Sequence, residues 1–317
     1  MNKHVLAIAG GVGGAKLVVG LAHTLSPQEL TVVVNTGDDE TFYGLHVSPD
    51  LDSVMYALAG LSDAERGWGL AGESWRTLEA LGRLGVDTWF GLGDLDMATH
   101  IRRTEMLREG HTLSDVTREL CGALGVDANV VPMSDDPIRT IAVTDKGDLA
   151  FQDYFVKRHC EPRISAVHFQ GADEANPAPA FAMALDGFEA LVLCPSNPLV
   201  SVGPVLAVPG VFSAIERFTG PRIAVSPIVG GQALRGPAAK MLGELGEKVS
   251  CVGVAHRYVG ICDVLLIDRV DAAHAEEITA LGIRPYITDI VMNTDNDKTR
   301  LAEEVVWLIE GWNDSSR

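Results

Sequence analysis

The chain opens His4-Val5-Leu6-Ala7-Ile8-Ala9-Gly10-Gly11-Val12-Gly13-Gly14-Ala15-Lys16. The first six residues read as a buried strand and the glycines as a tight turn into an apolar helix. A second strand, Leu30 to Val34, ends in Asn35-Thr36-Gly37-Asp38-Asp39. Together they have the pattern of one βαβ unit of a nucleotide-binding sheet. Such a strand-to-helix turn must come close to a ligand, and glycine permits that because it has no Cβ. The helix N-terminus beyond it presents free N–H groups and a partial positive charge to phosphate. Gly10, Gly11, Val12, Gly13 and Gly14 are therefore phosphate-binding candidates, and Lys16 is the charge beside them. The stretch is no strict dinucleotide fingerprint, because Lys16 stands where the third glycine would be. It is no P-loop either, because no Gly-Lys-Ser/Thr closes it.

Working outward, Ser48-Pro49-Asp50 starts a helix, with Ser48 as N-cap and Pro49 in the first turn. Asp38, Asp39, Asp50 and Asp52 then form an acidic group near the phosphate turn. Carboxylates so placed can hold Mg²⁺, which prefers hard oxygen ligands. Acids in a first helical turn are also favoured by the helix dipole alone. Residues 62 to 128 read as mostly helical, with pieces at Trp75 to Leu84, Met97 to Arg108 and Ser114 to Leu124. Between the first two lies Trp89-Phe90-Gly91-Leu92-Gly93-Asp94, where Asp94 or Asp96 can cap the following helix. His100, Arg103 and Thr104 share a helix face. That face is either solvated or a lid offering aromatics to a flat ligand and arginine to an anion.

Ile138 to Thr144 and Leu149 to Val156 read as a hairpin, and Lys157-Arg158-His159 as surface. The α/β rhythm resumes with Glu189 to Cys194, a buried strand ending in Pro195-Ser196-Asn197-Pro198. Ile223 to Val225 ends in Ser226-Pro227-Ile228-Val229-Gly230-Gly231, read as a second glycine-bearing βα loop for an anionic ligand, with Arg235 and Lys240 near it. Val264 to Asp268 and Pro285 to Ile287 are further strands, and Leu301 to Trp312 is a closing helix. The whole reads as one α/β domain over 1–317 with a mostly parallel sheet and a mainly helical insertion at about 51–128.

Composition narrows the function. A chain of 317 residues, 47% hydrophobic, can build one large core or two modest ones. Its net charge of −18, without any run of Lys and Arg, argues against nucleic acid. The five cysteines include no Cys-x-x-Cys, which suits reduced thiols and a cytoplasmic location. No signal peptide is evident, and no stretch approaches the ~20 apolar residues that span a membrane.

Seven blocks resemble the 2-phospho-L-lactate transferases of coenzyme F-420 biosynthesis: Gly10 to Leu17, Asn35 to Asp39, Ser48 to Asp52, Trp89 to Asp94, Met133 to Pro137, Pro195 to Pro198 and Ser226 to Gly231. The resemblance implies a Rossmann-like fold with helices on both faces, and a Mg²⁺-dependent phosphotransfer. The acceptor would be the ribityl hydroxyl of the deazaflavin Fo, the donor a guanylylated three-carbon acid, and the products F-420-0 or its dehydro form and GMP. By this resemblance Asp50 touches the deazaflavin and the reacting hydroxyl, and the nucleotide's phosphates lie along the first glycine stretch. The residues themselves suggest the rest: Lys16 neutralises charge in catalysis, and Asp38, Asp39 and Asp50 are the carboxylates for the metal. Trp89, Asp94, Arg103, Ser196, Asn197, Ser226, Gly230 and Gly231 are the remaining substrate-binding expectations. An arginine usually follows Gly-Asp in the Trp-Phe block of the family. Here Leu95 stands there, which leaves phospholactate, phosphoenolpyruvate and 3-phosphoglycerate as donor acids and Arg103 as the substitute cation. A homodimer is expected, since symmetric dimers are the commonest soluble assembly. Rival readings are a nucleotide-sugar-binding regulator of related fold and an NAD-dependent dehydrogenase. The missing third glycine counts against the latter.

Overall fold

The structure, a computed structural model, describes residues 4–312. Strand β1 (Val5–Ala9) leads directly into α1 (Gly11–Thr24), and β2 (Leu30–Val34) returns beside it. A hairpin follows, β3 (Glu40–Phe42) and β4 (Leu45–Val47), and then α2 (Pro49–Leu58), α3 (Arg76–Arg83), α4 (Asp94–Arg108) and α5 (Leu113–Ala123). After β5 (Asn129–Pro132) come β6 (Arg139–Thr144), β7 (Gly147–Ala150) and β8 (Ile164–Gln170), a separate antiparallel sheet. The second half runs α6 (Pro179–Gly187), β9 (Ala190–Leu193), α7 (Gly203–Ala207), α8 (Val211–Arg217), β10 (Arg222–Val225), β11 (Ile228–Val229) and β12 (Gln232–Ala233). It ends with α9 (Ala238–Glu244), α10 (Cys251–Arg257), β13 (Val264–Asp268), α11 (Ala275–Ala280), β14 (Arg284–Thr288) and α12 (Asp295–Glu310).

Every residue of β1, β2, β9, β10 and β13 is buried, which is what a parallel strand covered on both faces requires. These strands form a seven-stranded parallel sheet in the order β14-β13-β10-β9-β1-β2-β5. Alternation along β1 divides the core. Leu6 and Ile8 face a layer built from α6 to α11, whereas Val5, Ala7 and Ala9 face α1, α2, α5 and α12. The order reverses between β1 and β9, the switch point of a Rossmann-like sheet and the place where such sheets bind ligands at the carboxyl ends of their strands. Among the described residues no single helix is long and apolar enough to cross a membrane.

Several expectations need correction. The glycines after β1 are the first turn of α1 rather than a loop preceding it. The second glycine stretch is a hairpin turn and not a helix start: β11 and β12 pair antiparallel, with Gly230 and Gly231 as the two turn residues at φ 57° and 74°, and the chain enters α9 only at Ala238, after Pro237. A two-residue turn with both φ positive is the hairpin geometry that glycine allows. The expected strand to Val156 stops at Ala150, and residues 153–157 are helical. The closing helix begins at Asp295, six residues before Leu301, on a capping box made by Thr294 and Asp297. Within 51–128, α2 and α5 contribute to the main core. Leu92, Met97 and Trp89 instead pack with Phe42 and Val47 of the β3–β4 hairpin in a small satellite core.

Candidate active site

At the switch point the β1 and β9 ends lock together. Ser196 Oγ accepts the Gly10 N–H at 3.0 Å and donates to the Gly10 carbonyl at 2.8 Å. A methyl group on Gly10 would overlap Asp50 Oδ2, one on Gly13 would overlap the Pro195 carbonyl, and one on Gly14 would overlap Ser196 Oγ. The glycines thus admit the protein's own 195–201 segment and the Asp50 carboxylate. The Gly11 amide faces Asp50. The helix N-terminus expected to receive phosphate therefore already faces a carboxylate.

Asp50 lies in the first turn of α2, where Pro49 fixes the helix start. Asn35 continues β2 and points its amide nitrogen at two acids, 2.8 Å from Asp38 Oδ1 and 2.9 Å from Asp50 Oδ2. The Gly37 N–H donates to Asn35 Oδ1 at 2.8 Å, which fixes which end of the amide faces the carboxylates. Gln152 Nε2 donates to Asp38 Oδ2 at 3.1 Å, and Ser201 faces Asp50. Asp39 Oδ2 accepts Ser48 Oγ–H at 2.6 Å and lies 3.1 Å from His46 Nε2. Ser48 is the N-cap residue of α2, but its hydroxyl serves Asp39 instead of the helix.

All three acids are buried, and burial makes their charged forms costly. Burial, with the neighbouring Asp50 and Asp39 charges, holds Asp38 well above the usual carboxylate range. Burial pushes Asp50 up to about 6 against the help of Asn35 and Gly11, and Asp39 is raised as well. Asp39 Oδ1 is buried without a hydrogen-bond partner among the described residues. These acids are hard oxygen donors crowded in negative charge, the donor chemistry a small divalent cation takes, but their ligand atoms are not all gathered within 4.8 Å of one another as those of a second cluster are.

A second cluster, Asp52, Asp96 and His100, has ligand atoms close together but already holds its own cation. Arg103 binds Asp52 through both terminal nitrogens, with Nη1 3.2 Å from Oδ2, and donates to His100 Nδ1 at 3.0 Å. A guanidinium inside the cluster leaves little reason for a metal ion. This corrects the expectation for Arg103: it is 1% exposed and buried in an ion pair, not offered to a substrate.

The remaining expected residues lie as follows. Lys16 Nζ donates to the Met292 carbonyl at 2.7 Å, and burial followed by the charge of Arg235 lowers its pKa. Trp89 meets Phe42 edge-on, with Lys157 over its ring at 5.1 Å. Asp94 caps the preceding helix, accepting from Ser74 Oγ and from the Thr77 N–H at 3.0 Å, so it does not cap α4. Asp96, also expected as a cap, accepts the Tyr56 hydroxyl at 2.7 Å. Asn197 closes a local turn onto the Leu199 N–H, and Ser226 closes one onto Ile228. Gly230 N–H is taken by Asp271 at 3.0 Å, so an acid of the protein occupies the amide expected to hold an anion. The residues that sequence reasoning missed are Asn35, Gln152, Ser201 and His46. For Asn35 the signal was its place at a strand end beside Asp38 and Asp39.

These features define a Rossmann-like α/β protein with three buried carboxylates beside its switch point. The chain belongs to the family described as 2-phospho-L-lactate transferase CofD, which it matches over residues 5–306. It is 42% identical to a phosphoenolpyruvate transferase of Streptomyces griseus subsp. griseus, covering 95% of this chain and 99% of that one. It is 38% identical to a 2-phospho-L-lactate transferase of Methanosarcina acetivorans, covering 96% and 99%. A solved structure from Bacillus halodurans, a member of the UPF0052 family, shares the fold with a TM-score of 0.63 at 18% identity, covering 96% and 98%. The chain is accordingly an enzyme of the 2-phospho-L-lactate transferase type.

Proposed function

We propose that this transferase moves a phospho-three-carbon-acid group from a guanylylated donor to the ribityl hydroxyl of the deazaflavin Fo. The products are F-420-0 or its dehydro form and GMP, and the enzyme works with Mg²⁺, as a homodimer in the cytoplasm. The observation that carries the reading is the buried trio Asp38, Asp39 and Asp50 with its unpartnered Asp39 Oδ1. Asp38, Asp39 and Asp50 are the residues that would hold Mg²⁺. Bound there, it supplies neutralisation of charge on the transferring phosphoryl group.

The chain's own groups account for the rest. Phosphoryl transfer depends mainly on positioning and charge neutralisation. The hydroxyl oxygen forms a bond to the phosphorus of the phospho-acid, and the bond from that phosphorus to the GMP oxygen breaks. Asp50, in the first turn of α2, is the carboxylate that takes the hydroxyl proton. Asn35 and the Gly11 amide orient its carboxylate. Lys16 and Arg235 are neighbouring cations that form no ion pair with a carboxylate among the described residues, so they suit the donor's diphosphate.

The test is a mass-resolved assay with Fo, Mg²⁺ and the guanylylated forms of phospholactate, phosphoenolpyruvate and 3-phosphoglycerate, read as GMP and coupled deazaflavin. Product from one acid is expected and names the donor. No product from any of them, with tight binding of a nucleotide sugar instead, overturns the reading.

A further inference from the structure

We propose that Arg103 is a positioning residue for the acidic site, acting through α4 on the segment from His46 to Asp52. The proposal rests on the reading of Asp38, Asp39 and Asp50 as cation ligands. Three neighbours on one face of α4 grip this segment at both ends. At its start, Thr104 Oγ1 accepts the His46 N–H at 2.8 Å, and Thr104 itself is tied to the His100 carbonyl at 2.6 Å. At its end, the Arg103 fork holds Asp52. His100 Nδ1 accepts from the same guanidinium and sets its plane. One turn earlier, Asp96 takes the Tyr56 hydroxyl and ties α4 to α2 a second time.

What lies between the two grips matters. His46 and Ser48 hold Asp39 Oδ2, and Asp50 reaches the Gly11 amide and Asn35. The segment's geometry therefore sets the separation of two of the three proposed ligands. Stability alone is a poor reason for the ion pair, since an apolar pair of similar volume often serves a core as well or better. A bidentate fork does what an apolar pair cannot, which is to fix the register of α2's first turn against α4.

The decisive variant replaces the whole pair, Arg103→Met with Asp52→Leu, so that neither partner of the pair is left buried alone. Mn²⁺ binding by the full chain, followed by the electron paramagnetic resonance signal of free Mn²⁺, is measured beside thermal melting and turnover. The expected result is a cooperative melt with Mn²⁺ affinity weakened about tenfold or more. Turnover at saturating donor falls about a hundredfold, while the donor KM stays close to wild type. A folded double variant with wild-type Mn²⁺ affinity overturns the proposal, as does a wild-type chain that binds no Mn²⁺. Should the double variant melt without cooperativity, Arg103→Lys decides, because it keeps the charge and loses the fork. Weaker Mn²⁺ binding then supports the proposal and unchanged binding overturns it. A wild-type chain that binds Mn²⁺ but transfers no group from any donor overturns the proposed reaction alone, and the Mn²⁺ comparison still decides the role of Arg103.

Discussion

Asn35 holds Asp50 by a 2.9 Å hydrogen bond from the same nitrogen that reaches Asp38 at 2.8 Å. One neutral amide thus joins two buried acids, and the third, Asp39, is held by residues of a different segment. Among the described residues no Lys or Arg forms an ion pair with Asp38 or Asp50. Arg103 is spent on Asp52. The folded chain carries the electrostatic cost of gathering these acids, and the proposed Mg²⁺ would relieve it.

Asn35→Asp converts the shared donor into a fourth carboxylate. At pH 7.5 without divalent metal the variant should lose about 2–3 kcal/mol, the scale for leaving buried groups unpaired. Lowering the pH or adding Mg²⁺ should recover most of it. Thermal melts at pH 5.5 and 7.5, with and without Mg²⁺, check this. Equal melting temperatures for variant and wild type in metal-free buffer at pH 7.5 would refute it.

Asp50→Asn keeps the shape and removes the charge. Turnover should fall by about a thousandfold or more, because proton acceptance and charge at the reacting centre are lost together. Guanine nucleotide binding should change little. Assay and calorimetric titration are run on the same preparation. Retained turnover removes Asp50 from the mechanism.

The raised pKa values carry a signed consequence for stability. Asp50 titrates near 6 when folded and near its ordinary 3.8 when unfolded, so between those values the folded chain binds more protons. Stability contributed by the protonated form is therefore lost as pH rises from about 4 to about 6, and Asp38, also raised, adds a loss of the same sign. Mg²⁺ should raise the melting temperature more at pH 7.5 than at pH 5. Differential scanning calorimetry tests the ordering, and an equal or reversed Mg²⁺ effect contradicts it.

The fold was largely legible because its signals are local. β1 is apolar at every position and runs into glycine, which reads as a covered parallel strand before a helix. Pro49 after Ser48 located α2. Arg103 misled because helical spacing treats arginine as a solvent residue, and its burial depends on Asp52, 51 residues away. Gly230-Gly231 misled for another reason. Two-residue strands are too short to show alternation, so an ordinary glycine hairpin signal was taken for a phosphate turn. The acids were legible as candidates from their place at a strand end and a helix start. Their joining through Asn35, and the pressing of Asp50 onto Gly10, depend on how the segments pack.

Two glycine substitutions separate close approach from helix propensity. Gly13→Ala puts a methyl group into the Pro195 carbonyl, a backbone atom that cannot swing aside. It should cost about 1–3 kcal/mol, the usual price of overpacking. Gly122→Ala, on the exposed face of α5 with open space around it, should add about 0.5–1 kcal/mol. Denaturant unfolding of both variants decides, and a Gly13→Ala protein as stable as wild type contradicts the packing argument.

Lys16 and Arg235 provide the final prediction. The Lys16 ammonium contacts the Met292 carbonyl, and the Arg235 guanidinium contacts the Arg66 carbonyl at 3.2 Å. Neutral carbonyls leave both charges available, and their mutual repulsion is one reason the Lys16 pKa is lowered, after burial. An anion between them relieves that repulsion. Lys16→Met and Arg235→Met should each raise the donor KM about tenfold, with a smaller change in kcat, as expected for lost ground-state binding of phosphate. Because both cations would act on one anion, the double variant should lose less than the product of the single effects. Steady-state kinetics on the three variants measures the coupling. Independent, multiplicative effects would mean that the two cations serve different groups, and an unchanged KM in both single variants would remove them from donor binding.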